Sequence, residues 1–154
     1  SNRGQMFWLD ENSPACIGPK RRPRTTLSPS LALKDGLPYM VFGTPGGDQQ
    51  DQWSLHLFLR HVHFGLNLQE AIDAPGFSTA HFPNSFYPRE TDIGHLAIER
   101  RFPKETIDEL IKKGHKVIID DDWSLGRMTA ASKDNEILKA AANPRFMQGY
   151  AIGR

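Results

Sequence analysis

Ser30-Leu31-Ala32-Leu33-Lys34-Asp35-Gly36-Leu37-Pro38-Tyr39-Met40-Val41-Phe42-Gly43-Thr44-Pro45-Gly46-Gly47 is the stretch that decides the fold. Leu27, Leu31 and Leu33 alternate with Ser30, Ala32 and Lys34, which is the period of a strand. Lys34-Asp35-Gly36 is a hairpin turn signal. Tyr39-Met40-Val41-Phe42 is apolar throughout, which predicts a central partner strand. Thr44-Pro45-Gly46-Gly47-Asp48 then breaks the strand.

Working outward, residues 49–64 read as a helix, because Trp53, Leu55, Leu57 and Leu59 recur at helical spacing and Phe58 and Val62 widen the stripe. So broad a stripe implies burial between layers. Gly65 marks its end, and Asn67 is placed to cap a second short helix that runs through Ala74 and stops at Pro75. Residues 76–94 carry Phe77, Phe82, Pro83, Phe86, Tyr87 and Pro88, a covering segment with short strands. A strand over 95–99, a helix from Pro103 to Lys113 closed by Gly114, and a strand at 117–119 follow. Residues 127–132 and 136–142 form a last hairpin around Lys133-Asp134-Asn135. Residues 1–24 read as an extended lead and a Pro/Gly-rich loop. The fold class is α+β: antiparallel hairpins with packed helices, in one domain over 1–154.

The 154 residues carry a net charge of +1, which gives no steering toward nucleic acid or an anionic membrane. The one basic run, 20–24, reads as a solvated loop before a strand rather than a phosphate-binding tract. Cys16 stands alone, so neither a disulfide framework nor a Cys-rich zinc site is expected. No run approaches the roughly 18 apolar residues of a membrane span. Nor does the start look like a signal peptide, although this leaves the compartment open. The histidines lack ligand spacing: His61 and His63 would face different sides of a helix, and His56 does not match them. Asp120-Asp121-Asp122 reads as a solvated loop. No metal and no cofactor are expected.

Two features carry chemistry. Gly46-Gly47 stands where a strand ends and a helix begins, and free N–H groups there favour negative charge, including the oxyanion of a tetrahedral intermediate. The plainer reading is a tight turn. Thr25-Thr26 offers two adjacent hydroxyls that can donate to a carboxylate, and the plainer reading is a β-branched pair opening a strand. A free N-terminal Ser1 would be a competent nucleophile with its own amine as base, but Ser1-Asn2 reads more simply as a short scar or processing remnant.

Taken in order, Arg22-Pro23-Arg24-Thr25-Thr26-Leu27-Ser28-Pro29, Thr44-Pro45-Gly46-Gly47 and Gly65-Leu66-Asn67-Leu68-Gln69-Glu70-Ala71-Ile72-Asp73-Ala74-Pro75 resemble successive signatures of the γ-glutamyltranspeptidases. Leu110 to Val117 and Ala141-Ala142-Asn143-Pro144-Arg145 are similar to later family segments. The resemblance spans about Gly4 to Tyr150 and implies part of an N-terminal-nucleophile hydrolase, with two antiparallel sheets between helical layers. It implies that Thr25 and Thr26 bind the glutamyl α-carboxylate and that Gly46 and Gly47 form the oxyanion hole. It also implies a nucleophilic Thr some tens of residues before Gln5, so this stretch alone is expected to be inactive. The expected partners are the remainder of its own precursor and a small γ-glutamyl or acyl amide. Unpaired strand edges could also bring two copies together.

One departure bears on substrate. Where family members carry an acidic pair after Gln-Met, one acid of which holds the substrate α-amino group, this chain has Phe7 and Trp8 after Gln5-Met6. Asp10 can replace the pair only with a two-residue shift. Trp8 is expected to line the acyl pocket. The change points to an acylase-like branch whose amides carry a glutaryl or other acyl group, beside the γ-glutamyl reading. A non-catalytic binding or assembly domain that kept the fold is the rival of another class.

Overall fold

The computed structural model describes residues 4–147 and 149–153. Ser1 therefore lies outside the described residues, and with it the reading of Ser1 as a nucleophile. Strands β1 (Ser30–Lys34) and β2 (Leu37–Gly43) form the expected hairpin. Its two-residue loop has φ of 52° at Asp35 and 79° at Gly36, both in the left-handed region that matches the strand twist. Pro38 cannot donate to a ladder, and it sits beside the bulge at Ala32/Leu33, outside the stretch of β2 that pairs with β6.

A 3-10 turn (Gly47–Gln49) leads into α1 (Gln50–Val62), and Gly65, at φ 72°, turns the chain toward α2 (Leu68–Asp73). Asn67 caps α2 through a full capping box: its side chain accepts from the Glu70 amide, and the Glu70 carboxylate accepts from the Asn67 amide, each at 2.9 Å. Then come β3 (Phe77–Ser78), β4 (His95–Glu99), α3 (Lys104–Lys112), β5 (Lys116–Asp120), β6 (Thr129–Asp134) and β7 (Ile137–Ala142).

The main sheet is antiparallel, in the order β1-β2-β6-β7, so β2 is central as its apolar sequence predicts. One face is buried. Met40, Ala130 and Ala141 pack against Leu57 of α1 and Leu68, Ala71 and Ile72 of α2, and the small residues of β6 and β7 let the helices approach closely. The other face is bare, leaving Leu31 60%, Val41 48% and Leu138 78% exposed. The smaller sheet, β3-β4-β5, is mixed. β4 and β5 run parallel, because α3 intervenes and carries the chain back to the same end. Of the covering segment 76–94, only Phe77–Ser78 becomes a strand; turns and side-chain-to-backbone hydrogen bonds make up the rest.

Candidate active site

The site is organised by the turn between β2 and α1. Gly46 has φ 142° and Gly47 has φ 58°, conformations that side-chain-bearing residues rarely adopt. Gly46 is also a packing requirement, since a Cβ there would lie 2.3 Å from Cζ3 of Trp53. Upstream, Thr44 Oγ1 donates to the Pro45 carbonyl at 2.7 Å and accepts from the Arg127 amide at 3.2 Å. Among the described residues the amides of Gly46 and Gly47 meet no acceptor, as befits the first donors of a helical stretch.

The 3-10 turn and the first turn of α1 are laced to segment 77–85. Asp48 accepts from the Ser85 amide at 2.7 Å and from the Ser85 hydroxyl, and Ser85 is fully buried. Gln52 exchanges two hydrogen bonds with the Thr79 backbone, at 2.8 and 3.0 Å. Trp53, the floor under Gly46, donates to the Phe77 carbonyl at 3.1 Å.

That floor rests on a buried charged hub. Glu99 at the end of β4 accepts from the Gly76 and Leu125 amides, each at 2.9 Å, from Arg101 at 2.6 Å and from Arg145 at 2.8 and 3.0 Å. Burial alone would raise its pKa, but the bonds from Arg145, Gly76, Leu125 and Arg101 prevail and hold it at about 2. Arg101 lies 3.5 Å over the Trp123 ring. Nearby, His56 stacks on Phe77 at 3.8 Å, and burial, helped by Arg60, lowers its pKa to about 4.

Thr25 and Thr26 run beside this turn. Arg24 reaches Asp48 at 4.0 Å, and the Ser28 hydroxyl donates to Gln50 at 3.3 Å, so the two threonines lie between two attachments to the start of α1. Thr25 is exposed and Thr26 half-buried, and the Thr25 hydroxyl accepts from the Leu27 amide at 3.1 Å. Trp8 is half-buried, bridged to Cys16, with the Arg89 guanidinium 4.9 Å over its ring. Asp10 is exposed in its own turn, where it accepts from the Asn12 amide at 2.9 Å; no described contact joins it to the Gly46-Gly47 turn. Among the described residues no three His, Cys, Asp or Glu side chains gather as a metal site.

The family model for gamma-glutamyltranspeptidase matches residues 1–153. The chain belongs to the γ-glutamyltranspeptidase family. It is 35% identical to the oxamate amidohydrolase proenzyme of Klebsiella pneumoniae and 34% identical to the glutathione hydrolase-like YwrD proenzyme of Bacillus subtilis, in each case over 99% of this chain and 28% of the relative. A solved structure of LmbA2991 superposes with a TM-score of 0.90 at 53% identity, over 97% of this chain and 27% of that one. The chain thus spans under a third of the length of these relatives. The α+β fold expected from the sequence is the one that γ-glutamyltranspeptidase structures share with it.

Within this γ-glutamyltranspeptidase-family chain, sequence reading placed the backbone break at Gly46-Gly47, and the structure puts Thr25 and Thr26 in the irregular stretch before β1. It missed Ser85, Arg89 and the Glu99 hub. Arg145 was visible only as part of the closing segment 141–145. Ser85 and Arg89 sit in no periodic pattern, and apart from the Arg101 bond the side-chain partners of Glu99 lie far away in sequence.

Proposed function

We propose that the polypeptide containing these residues is a γ-glutamyltranspeptidase-like amidohydrolase and acyltransferase that cleaves γ-glutamyl, glutathione-type amides through an acyl-enzyme. The attacking hydroxyl comes from an N-terminal Thr in a part of the polypeptide outside these residues, with its own amine accepting the proton. The observation that carries the reading is the pair of acceptor-free amides at Gly46 and Gly47, with Thr25-Thr26 attached alongside. As the nucleophile adds, negative charge moves onto the former carbonyl oxygen. Two N–H donors already in place stabilise it by about 3 kcal/mol each without reorganisation. Thr25 and Thr26 donate to the carboxylate of the acyl group and set its direction. Collapse of the intermediate expels the protonated amine, and water or a second amine then takes the acyl group.

The bare face of the main sheet supports the remainder of the precursor as partner. Leu31, Val41 and Leu138 lie there, and two open grooves of about 540 and 680 Å³ run along it. Apolar surface of this extent is what a second layer covers.

A second reading rests on Phe7 and Trp8. An ammonium held by a carboxylate loses that partner when the carboxylate becomes aromatic, whereas a glutaryl or other acyl group without an α-ammonium loses nothing. The relative named for oxamate, an amide without an α-ammonium, fits this branch. Asp10 is the nearby acid that a γ-glutamyl donor would have to recruit.

Hydrolysis of a γ-glutamyl anilide and a glutaryl anilide by the intact gene product tests both readings, with this chain alone as the control. Preference for the first donor supports the transpeptidase reading, and preference for the second supports the acylase. Turnover of neither would favour a non-catalytic binding or assembly domain.

A further inference from the structure

Segment 84–89 touches both ends of the candidate site. At one end Ser85 binds Asp48, the residue directly after Gly47, through both its amide and its hydroxyl. At the other end Arg89 donates to the carbonyls of Phe7 at 2.7 Å and Met6 at 3.4 Å and lies over the Trp8 ring. Between them the segment is internally braced. The Phe86 amide donates to the Asn84 side chain at 2.8 Å, the Arg89 amide to the Phe86 carbonyl at 2.8 Å, and the Asn84 amide to the Glu90 carbonyl at 2.9 Å. Phe86 lies under Gly47, where an added Cβ would sit 3.6 Å from its ring. The lead segment is bridged to Cys16 at Trp8, Met6 within it is buried, and the Arg89 bonds tie its backbone to segment 84–89.

We propose that Ser85 and Arg89 are positioning residues: segment 84–89 is a strut that holds the Trp8 wall at a set distance from the Gly46-Gly47 turn and thereby decides which acyl groups reach the oxyanion donors. The proposal rests on the amidohydrolase reading above. Neither residue touches the reacting atoms. Ser85 acts through Asp48 on the turn, and Arg89 acts through the Met6 and Phe7 carbonyls on Trp8. Loss of the Ser85 end loosens the turn and lowers kcat, while loss of the Arg89 end moves the wall and raises KM. Because one strut carries both, damage at either end also reaches the other.

The test uses the full-length processed protein with Ser85→Ala, Arg89→Met and Arg89→Lys. Hydrogen exchange is followed at residues 6–8 and 46–50, and kcat and KM are measured for the glutaryl and γ-glutamyl anilides. Ser85→Ala is expected to speed exchange at 6–8, and Arg89→Met to speed it at 46–50, although neither residue contacts the distant segment. Ser85→Ala should lower kcat roughly 10- to 100-fold, the range a small misplacement produces. Arg89→Met should raise KM and change the ratio of kcat/KM between the two donors, and Arg89→Lys should recover part of that ratio. A merely structural role would lower thermal stability and leave the donor ratio unmoved. Exchange that stays local to each substitution, or an unchanged donor ratio, would overturn the strut. A wild-type protein that turns over neither donor, yet shows the coupled exchange, would overturn the amidohydrolase reading and leave the mechanical tie in place.

Discussion

Glu99 and Arg145 form a two-pronged ion pair with almost no solvent contact: Nε meets Oε1 at 2.8 Å and Nη2 meets Oε2 at 3.0 Å, with 0% of the Glu99 side chain and 3% of the Arg145 side chain exposed. Arg145 also donates to the carbonyls of Ile72 and Ala74 at the end of α2. One residue thus joins the C-terminal segment to β4 and to the last turn of α2, and indirectly supports the backbone that receives Trp53.

Removing one partner strands the other charge. Arg145→Met in the intact protein is expected to cost about 3–5 kcal/mol, the usual result of breaking a buried pair from one side. Urea denaturation measures it directly. A loss below about 1 kcal/mol would mean that Arg101 and the two backbone amides suffice for Glu99.

Acid stability should fall in two stages. The folded protein holds the His56 pKa at about 4, against 6.5 for the free side chain. Between those values the unfolded chain takes a proton that the folded one refuses, so stability drops as pH falls from about 6.5 toward about 4. The loss should be about 2 kcal/mol, less than the whole shift because the ring is incompletely buried. Glu99, held at about 2 against 4.5, contributes stability that persists above pH 4.5 and is lost as pH falls toward about 2. His56→Gln should flatten the first stage and leave the second. Denaturation midpoints taken across pH 4–7 would refute this if the variant kept the wild-type slope.

The two glycines should not respond alike. Gly46→Ala brings a Cβ to 2.3 Å from the Trp53 ring at φ 142°, whereas Gly47→Ala meets only Phe86 at 3.6 Å. We expect Gly46→Ala to lower both thermal stability and kcat, the latter by roughly 100-fold or more. Gly47→Ala should strain the turn less. Gly46→Val should abolish turnover of the intact enzyme, and unchanged turnover would remove Gly46 from the oxyanion role.

Thr25→Ala and Thr26→Ala should act mainly on KM. A hydrogen bond to a charged group contributes about 1.5–3 kcal/mol, so each loss should raise KM by roughly tenfold or more and change kcat little. Initial rates over a range of donor concentrations separate the two constants. A fall in kcat at constant KM would instead assign the threonines to the chemical step.

Much of the fold, and the backbone break at the candidate site, is legible in the order of residues alone. The Asp35-Gly36 loop, the Asn67 cap three residues before Glu70, and the Gly46-Gly47 break are local: each is set by what a few consecutive residues permit their own backbone to do. The alternation in β1 and the stripe of α1 mark which faces are to be buried. The short-strand expectation for 76–94 mostly fails, because its aromatic and proline residues serve turns and side-chain contacts.

What the sequence by itself determined, then, is the run of elements, the glycine turn at the head of α1 and the pair of hydroxyls that precedes the hairpin. Only the tertiary structure decided what holds them in relation. Ser85 meets Asp48 across 37 residues, Arg145 meets Glu99 across 46, and Arg89 meets Phe7 across 82. Hydrogen bonds of that separation leave no period and no spacing in the chain. They depend on which side-chain and backbone polar groups the packed sheets and helices bring together, and that is known only once the layers have closed.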